Sequence, residues 1–289
     1  MVSSNGSAIG GKVTRPRSLA HLVEAMATDP DATLVAGGTD IMVDVNAGRL
    51  RPTGLIDLWT VPELRGWRRR DGYMRIGSMT TFGQIERGLL ELAPGLAAAA
   101  RTVGSPQIRS RATIGGNLGT ASPAGDALPM LVAAGAMVEL VSVGGVRRIP
   151  IREYLLGPRR TQRREDECVL GVETPIARHG TEQFLKVGVR NSMVIAVASV
   201  ALHLDPSAGR VGVGLGSVAP HALAADQAEE YAAELLASSS RTPAAIERFG
   251  QLVAEAAAPI DDHRGTARYR RHVVAVLAVR AFTRILEEA

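Results

Sequence analysis

Apolar residues recur at helical spacing at Leu19, Leu22, Val23 and Met26, with Ser18 just before them and Pro30 just after. A serine hydroxyl satisfies free N–H groups of a first turn and a proline cannot continue a helix, so this pattern predicts a helix between them. The period then changes. Short apolar runs in "TLVAGG" and in "GLIDLW" (54–59) have the length and composition of buried strands, and residues 73–76 predict a third strand ending at Gly77. Helical spacing returns in "TTFGQIERGLL", where Thr80 or Thr81 serves as cap and Ile85, Leu89 and Leu90 share a face. "PGLAAAARTVG" predicts a helix that starts at Pro94 and stops at Gly104, and residues 128–134 predict a short one.

Further along, "AMVELVSVGGVRRIPI" alternates around Gly144-Gly145 and reads as a hairpin. A strand over residues 168–173 ends at Pro175, and the stretch to Gly180 reads as a linker. "FLKVGV" and "VIAVASVALHL" predict two strands, or a strand and a helix. "GVGLG" (212–216) runs into "SVAP" instead of opening a helix, so it fits a hairpin strand rather than a dinucleotide fingerprint. Two long amphipathic helices, 243–257 and 269–288, finish the chain. Residues 1–12, rich in Gly, Ser and Asn and without periodicity, read as a mobile tail. Helices and strands mix without strict alternation, which predicts an α+β fold in two or three units.

Composition narrows the class. The 289 residues exceed one average domain, and 46% hydrophobic with 21% charged residues suits a globular protein. No apolar run approaches ~18 residues and the start lacks a secretory pattern, so no membrane association and a cytoplasmic location are expected. Cys168 is the only cysteine, which excludes a disulfide and any iron–sulfur or Cys-based zinc site built from this chain alone. A buried, inert thiol is expected there. The net charge of +4 comes with arginine-rich runs at 65–70, 158–166 and 268–272, read as solvated faces. Nucleic acid is not an expected partner, because aromatics make up only 3% and no stacking platform accompanies the charge.

The candidate chemistry lies in two glycine pairs, "VAGGTDI" (35–41) and "TIGGNLG" (113–119), each after a short apolar run. Paired glycines can aim successive backbone N–H groups at one point, a nest for phosphate oxygens. Thr39, Asn117 and Ser122 supply further donors, and Asp126 has the acceptors a sugar hydroxyl needs. A nucleotide with a diphosphate and sugar hydroxyls would use every part, although each pair alone also reads as an ordinary turn. No phosphate-loop lysine, GxSxG serine or metal-spaced histidines are present, so no catalytic or metal-ligating side chain is assigned and chemistry must come from a cofactor.

"LVAGGTDIM", "LIDLWTVPELRG", "MRIGSMTTFGQIE", "IRSRATIGGNLGTASPAGDALPML" and "DDHRGTARYRRHVVAVLAVRA" together resemble the FAD-binding medium subunit of molybdenum hydroxylases, across residues 13–286. That group includes the flavin subunits of carbon monoxide dehydrogenase and of xanthine dehydrogenase relatives. The resemblance implies an α+β, PCMH-type FAD-binding fold of two α/β subdomains, about 13–58 and 59–177, then a C-terminal domain, 180–289, of a small antiparallel sheet and helices. It implies that Val35, Ala36, Gly37, Gly38, Thr39 and Asp40, with Thr113, Ile114, Gly115, Gly116 and Asn117, clasp the FAD diphosphate, helped by Arg109 or Arg111. Ser122 and Asp126 then hold the ribityl and ribose hydroxyls, with Thr120 and Gly125 in the same set. Val169 is implied to contact the flavin or adenine through backbone. Lys186 is implied to approach the cofactor, a solvated strand lysine being the alternative. As function, the likeness implies a carrier of electrons from a [2Fe–2S] small subunit through FAD to NAD⁺, quinone or dioxygen, with molybdopterin on a large subunit. The alternatives are a stand-alone FAD-dependent oxidoreductase acting directly on a small molecule, and a nucleotide-binding regulatory module.

Overall fold

The computed structural model describes residues 11–177, 181–238 and 241–288. Most of the expected tail and the end of the expected linker, 178–180, lie outside the described residues. Gly11 and Lys12 are built into structure: the Lys12 carbonyl accepts the Leu55 N–H at 2.9 Å, and Gly11 lies too close to the Thr53 carbonyl to admit a side chain.

The chain builds three main sheets. The first is parallel, with Leu55–Asp57 between Val13–Thr14 and Thr33–Val35. Helix Leu19–Thr28 covers it, the Ser18 side chain accepting the His21 N–H. Leu22 and Met26 pack with Ile56, Leu58 and Leu64, and with Val141 and Leu170 from the second sheet. "GLIDLW" yields only three strand residues, because the Asp57 carboxylate accepts the Trp59 N–H and turns the chain into a 3-10 helix, Leu58–Thr60.

The second sheet is antiparallel, in the order Trp67–Arg70, Tyr73–Gly77, Cys168–Pro175, Met137–Ser142, Gly145–Pro150. Its edge strand was not anticipated. The arginine run hid a hairpin whose signal was Asp71-Gly72, both left-handed (φ 51° and 81°) as a two-residue hairpin turn requires. Arg68 to Arg70 are solvated, as the run suggested. Cys168 is buried, and burial pushes its thiol up to about 12. Helices Phe82–Gly88, Pro94–Arg101 and Ala127–Ala133 bury Ile85, Leu89, Leu96, Leu128 and Leu131 against Ile76, Val138 and Val172. Thr81 caps the first of them in a capping box with Gln84.

The third sheet is antiparallel: Glu182–Val187, Ala198–Asp205, Arg210–Gly216, Leu223–Ala224. Both ambiguous segments are thus strands, and so is "GVGLG". One face carries helices Asp226–Ala237, Pro243–Ala256 and Ala267–Glu288, with the rings of Phe249 and Phe282 tilted against each other at 4.7 Å between centroids. The first of these went unread, because Ala228 and Ala232 make a faint apolar stripe. The opposite face meets helix Ala127–Ala133 so closely that a Cβ on Gly212 or Gly214 would fall within 2.0 Å of the Ala133 or Pro129 carbonyl oxygen. Those glycines therefore set the approach of the C-terminal region to the helix that follows Asp126. Mixed helix and sheet with antiparallel C-terminal strands is the α+β class expected.

Candidate cofactor site

The two glycine segments come together. Val35 ends its strand and residues 36–40 cross to helix Ile41–Asn46. Gly37 presses on Arg111, a Cβ there falling 2.0 Å from the Arg111 carbonyl oxygen, and the Ala36 Cβ lies 3.8 Å from where Gly116 would carry its own. Farther along, the Thr120 hydroxyl donates to Asp40 Oδ2 at 3.1 Å.

Their conformations differ. Residues 113–120 are not a loop: Thr113 caps helix Ile114–Thr120. The Gly115 N–H donates to the Ser78 carbonyl at 2.8 Å, and the Gly116 N–H to Thr113 Oγ1 at 3.0 Å. Both donors are consumed internally, which corrects the expectation that they face a diphosphate. In contrast, the N–H groups of Gly37, Gly38 and Thr39 have no hydrogen-bond partner among the described residues. The open N–H groups therefore lie on the first segment, and the second faces them. Within that second segment the glycines divide: a Cβ on Gly115 would lie 2.4 Å from Ser78 Cβ, whereas Gly116 is half-buried and meets only Thr113 Oγ1 at 3.2 Å and Ala36.

Asp126 lies beyond the helix, where Oδ2 accepts from Lys186 Nζ at 2.5 Å and from Thr102 Oγ1 at 3.0 Å. Lys186, whose side chain is 7% exposed, is not a solvated strand lysine; it also donates to the Thr102 carbonyl at 3.2 Å. Burial pushes the Asp126 carboxyl above its ordinary range, and the Lys186 charge and the hydrogen bonds oppose that. Asp126 Oδ1 is buried without a partner among the described residues, and so is Asn117 Oδ1. Gly125 closes this corner, its Cβ position 2.7 Å from Asn117 Nδ2, and Ser122 Oγ accepts the Ala124 N–H at 3.3 Å. Ser217 joins it by donating its N–H to the Pro123 carbonyl, and its own buried hydroxyl also lacks a partner. Buried polar groups are rarely left unpaired, so these oxygens form a corner open to hydrogen bonds from a bound group.

Val169 lies in the strand on which the second glycine helix packs, its side chain in the central core. The two arginines are engaged by other residues of the chain. Arg109 is committed to Glu86 at 2.8 Å and to the Val103 and Gly104 carbonyls, and Arg111 lies over the Trp59 ring, 3.9 Å from its centroid. Trp59 and Thr102 were not anticipated; nothing in their sequence neighbourhoods signals the partners that they meet.

The family model described as FAD binding domain in molybdopterin dehydrogenase matches residues 7–177, more than half of the chain. The chain belongs to that family. A second family model, CO dehydrogenase flavoprotein C-terminal domain, matches residues 183–285. The chain is 30% identical to the nicotine 6-hydroxylase medium subunit of Paenarthrobacter nicotinovorans, covering 90% of this chain and 91% of the other. It is 28% identical to the xanthine dehydrogenase FAD-binding subunit of Escherichia coli O157:H7, covering 95% and 96%. A solved carbon monoxide dehydrogenase chain from Hydrogenophaga pseudoflava superimposes with a TM-score of 0.88 at 27% identity, over 96% of this chain and 97% of that one. This is an FAD-binding medium subunit of the molybdenum hydroxylase type, a subunit of an oxidoreductase, and its cofactor is FAD. The residues fit that group: free N–H donors on the first segment suit a diphosphate, and the orphaned acceptors of Asn117 and Asp126 suit hydroxyl donors. Among the described residues no helix is long and apolar enough to cross a membrane, and no cluster of His, Cys, Asp and Glu is arranged to hold a metal ion.

Proposed function

We propose that this chain passes electrons from a [2Fe–2S] partner subunit through FAD to an external acceptor, in a heteromer whose molybdopterin is carried by a large subunit. The observation that carries this reading is the pairing of a complete flavin-subunit likeness with a single, buried cysteine, since no iron–sulfur cluster can be ligated by this chain. NAD⁺, quinone and dioxygen are the acceptor classes. FAD supplies the redox step, accepting electrons singly or in pairs. The side chains bind and orient it. Gly37, Gly38 and Thr39 donate N–H groups to the diphosphate while Gly116 leaves the opposite wall open. Asn117 and Asp126 accept from the sugar chain, with Ser122 beside them. Lys186 and Thr102 hold the Asp126 carboxylate in place from two different elements. The division into a cofactor domain, 13–177 with subdomains about 13–58 and 59–177, and a C-terminal domain, 180–289, belongs to the same proposal. The three larger sheets among the described residues, one in each of these parts, support it.

The test has two arms. Purified protein is expected to take up FAD and turn yellow, and Gly116→Val is expected to lose uptake while remaining folded. Full FAD uptake by the folded variant would overturn the assignment of the wall. Co-expression with an iron–sulfur and a molybdopterin subunit is then expected to give a stable complex in which substrate bleaches the flavin. A flavoprotein that is reduced by a small molecule without partners would overturn the heteromer.

A further inference from the structure

Arg159 touches both glycine segments at once. It forms the tip of the short hairpin between Leu155–Gly157 and Arg160–Thr161. Its backbone N–H donates to the Ala121 carbonyl at 3.4 Å, at the end of the second glycine helix. The guanidinium reaches the other way, with Nη1 donating to Asp44 Oδ2 at 2.7 Å and Nη2 lying 3.8 Å from Asp40 Oδ2. Those carboxylates begin and line helix Ile41–Asn46, which follows the N–H nest directly. Both Arg159 and Ala121 are left-handed non-glycine residues, at φ 56° and 45°. Such backbone persists only where its surroundings hold it, and it gathers at ligand clamps. The pairing also moves protonation: Arg159 and then Arg49 hold the Asp44 carboxyl below its ordinary range.

We propose that Arg159 is a positioning residue that clasps the nest to the facing wall and so sets how long FAD stays bound. The inference rests on the FAD reading above. Three charged groups face it across the cleft: Asp40, Asp44 and Arg49, the last bonded to Asp44 Oδ1 at 2.7 Å. Without Arg159, Asp40 would keep only the Thr120 hydroxyl, and a carboxylate beside the nest would repel a diphosphate. The Arg159 side chain is 61% exposed, so salt reaches the pair and screens it.

FAD release from the full-length, FAD-loaded protein is the measurement, followed by flavin fluorescence on dilution at ionic strengths from about 0.05 to 0.5 M. Arg159→Ala is expected to release FAD roughly three- to tenfold faster at low salt, the range open to a partly exposed pair within a network. The apo-protein Tm should change little, the pair being exposed. Salt should speed release from the unaltered protein and, by screening the Asp40–diphosphate repulsion, slow it in the variant, so that the two rates converge. Arg159→Lys should recover part of the retention. Asp44→Asn should mimic Arg159→Ala, and the double variant should release no faster than either single one. Full additivity of the two substitutions, or an Arg159→Ala protein that binds FAD and releases it at the unaltered rate, overturns the clasp alone. Failure of the unaltered protein to take up FAD overturns the clasp together with the reading on which it rests.

Discussion

Gly37-Gly38 and Gly115-Gly116 share a dipeptide, follow short apolar runs and end up against one another, yet the chain uses them for opposite purposes. In the first segment the backbone is open, Gly38 is left-handed at φ 79° with only Met42 Cγ near its Cβ position, and the donors are free. In the second the backbone is a capped helix whose donors are spent on Ser78 and Thr113. Glycine is there because Gly115 must lie on Ser78, which leaves Gly116 alone to shape the cleft. A repeated motif thus does not imply a repeated role. What distinguishes the two is where each N–H goes, an accounting that only the folded chain completes.

The sharpest way to break this comparison is to put the same side chain on both glycines of the second pair. Gly115→Val drives branched carbons into the Ser78 backbone, 2.7 Å from its carbonyl oxygen, in a part of the fold with no slack. Overpacking of that kind costs about 3 kcal/mol or more, so little folded protein is expected. Gly116→Val, one residue on, should keep a urea midpoint close to that of the unaltered protein, because valine is no worse than glycine in a helix and only Thr113 Oγ1 must give way. Equal stabilities for the two would show that the pair is one structural unit.

How much of this was legible follows from the same distinction. Caps were readable, since Ser18 and Thr81 act on N–H groups within three residues of themselves. The place of both glycine segments was readable too. The helix at 114–120 was not, because four residues of "TIGGNLG" disfavour helix or cap it, and the contacts of Gly115 and Ile114 with Ser78 and Thr80 override propensity. The Asp126–Lys186 pair spans 60 residues and the bond from Lys186 to Thr102 spans 84, distances over which no local pattern carries information. The edge strand at 67–70 was readable and missed; its Asp-Gly turn was outweighed by the charge beside it.

A second contrast sets the acids of the two segments against each other. Asp126 is buried with Lys186, so Lys186→Met leaves a carboxylate in an apolar corner with only Thr102 to hold it. Breaking a buried pair in this way costs about 3 kcal/mol at about pH 7.5. The sign with pH is fixed by the raised folded-state pKa of Asp126, which rises further once the lysine is gone. The variant's deficit relative to the unaltered protein should be smallest below the ordinary carboxylate range, where Asp126 is neutral in both states, and should grow as pH rises through the folded value. Urea titrations at several pH values test this; a deficit that is independent of pH would show that the lysine contributes packing alone.

Gly38 probes the first segment with a smaller effect. Space is available at its Cβ position, so Gly38→Ala carries only the backbone cost of a left-handed alanine, about 1 kcal/mol. FAD affinity should fall with it, as the N–H nest relaxes away from its turn. A loss of stability with unchanged affinity would move the diphosphate elsewhere.

Asp44 supplies the mildest test and the opposite sign. Its folded-state pKa is lowered, first by the hydrogen bond from Arg159 and then by that from Arg49. A lowered carboxyl contributes stability above the unfolded value and loses it as pH falls through the folded one, so Asp44 weakens the fold on acidification where Asp126 relieves it. Asp44→Asn should therefore lower Tm slightly at neutral pH and converge with the unaltered protein below about pH 4, so that the acid limb is flatter. If the asparagine variant melted along the same acid limb as the unaltered protein, the carboxylates of the first segment would be solvated ornaments of the surface, and the electrostatic contrast between the two walls of the cleft would rest on Asp126 alone.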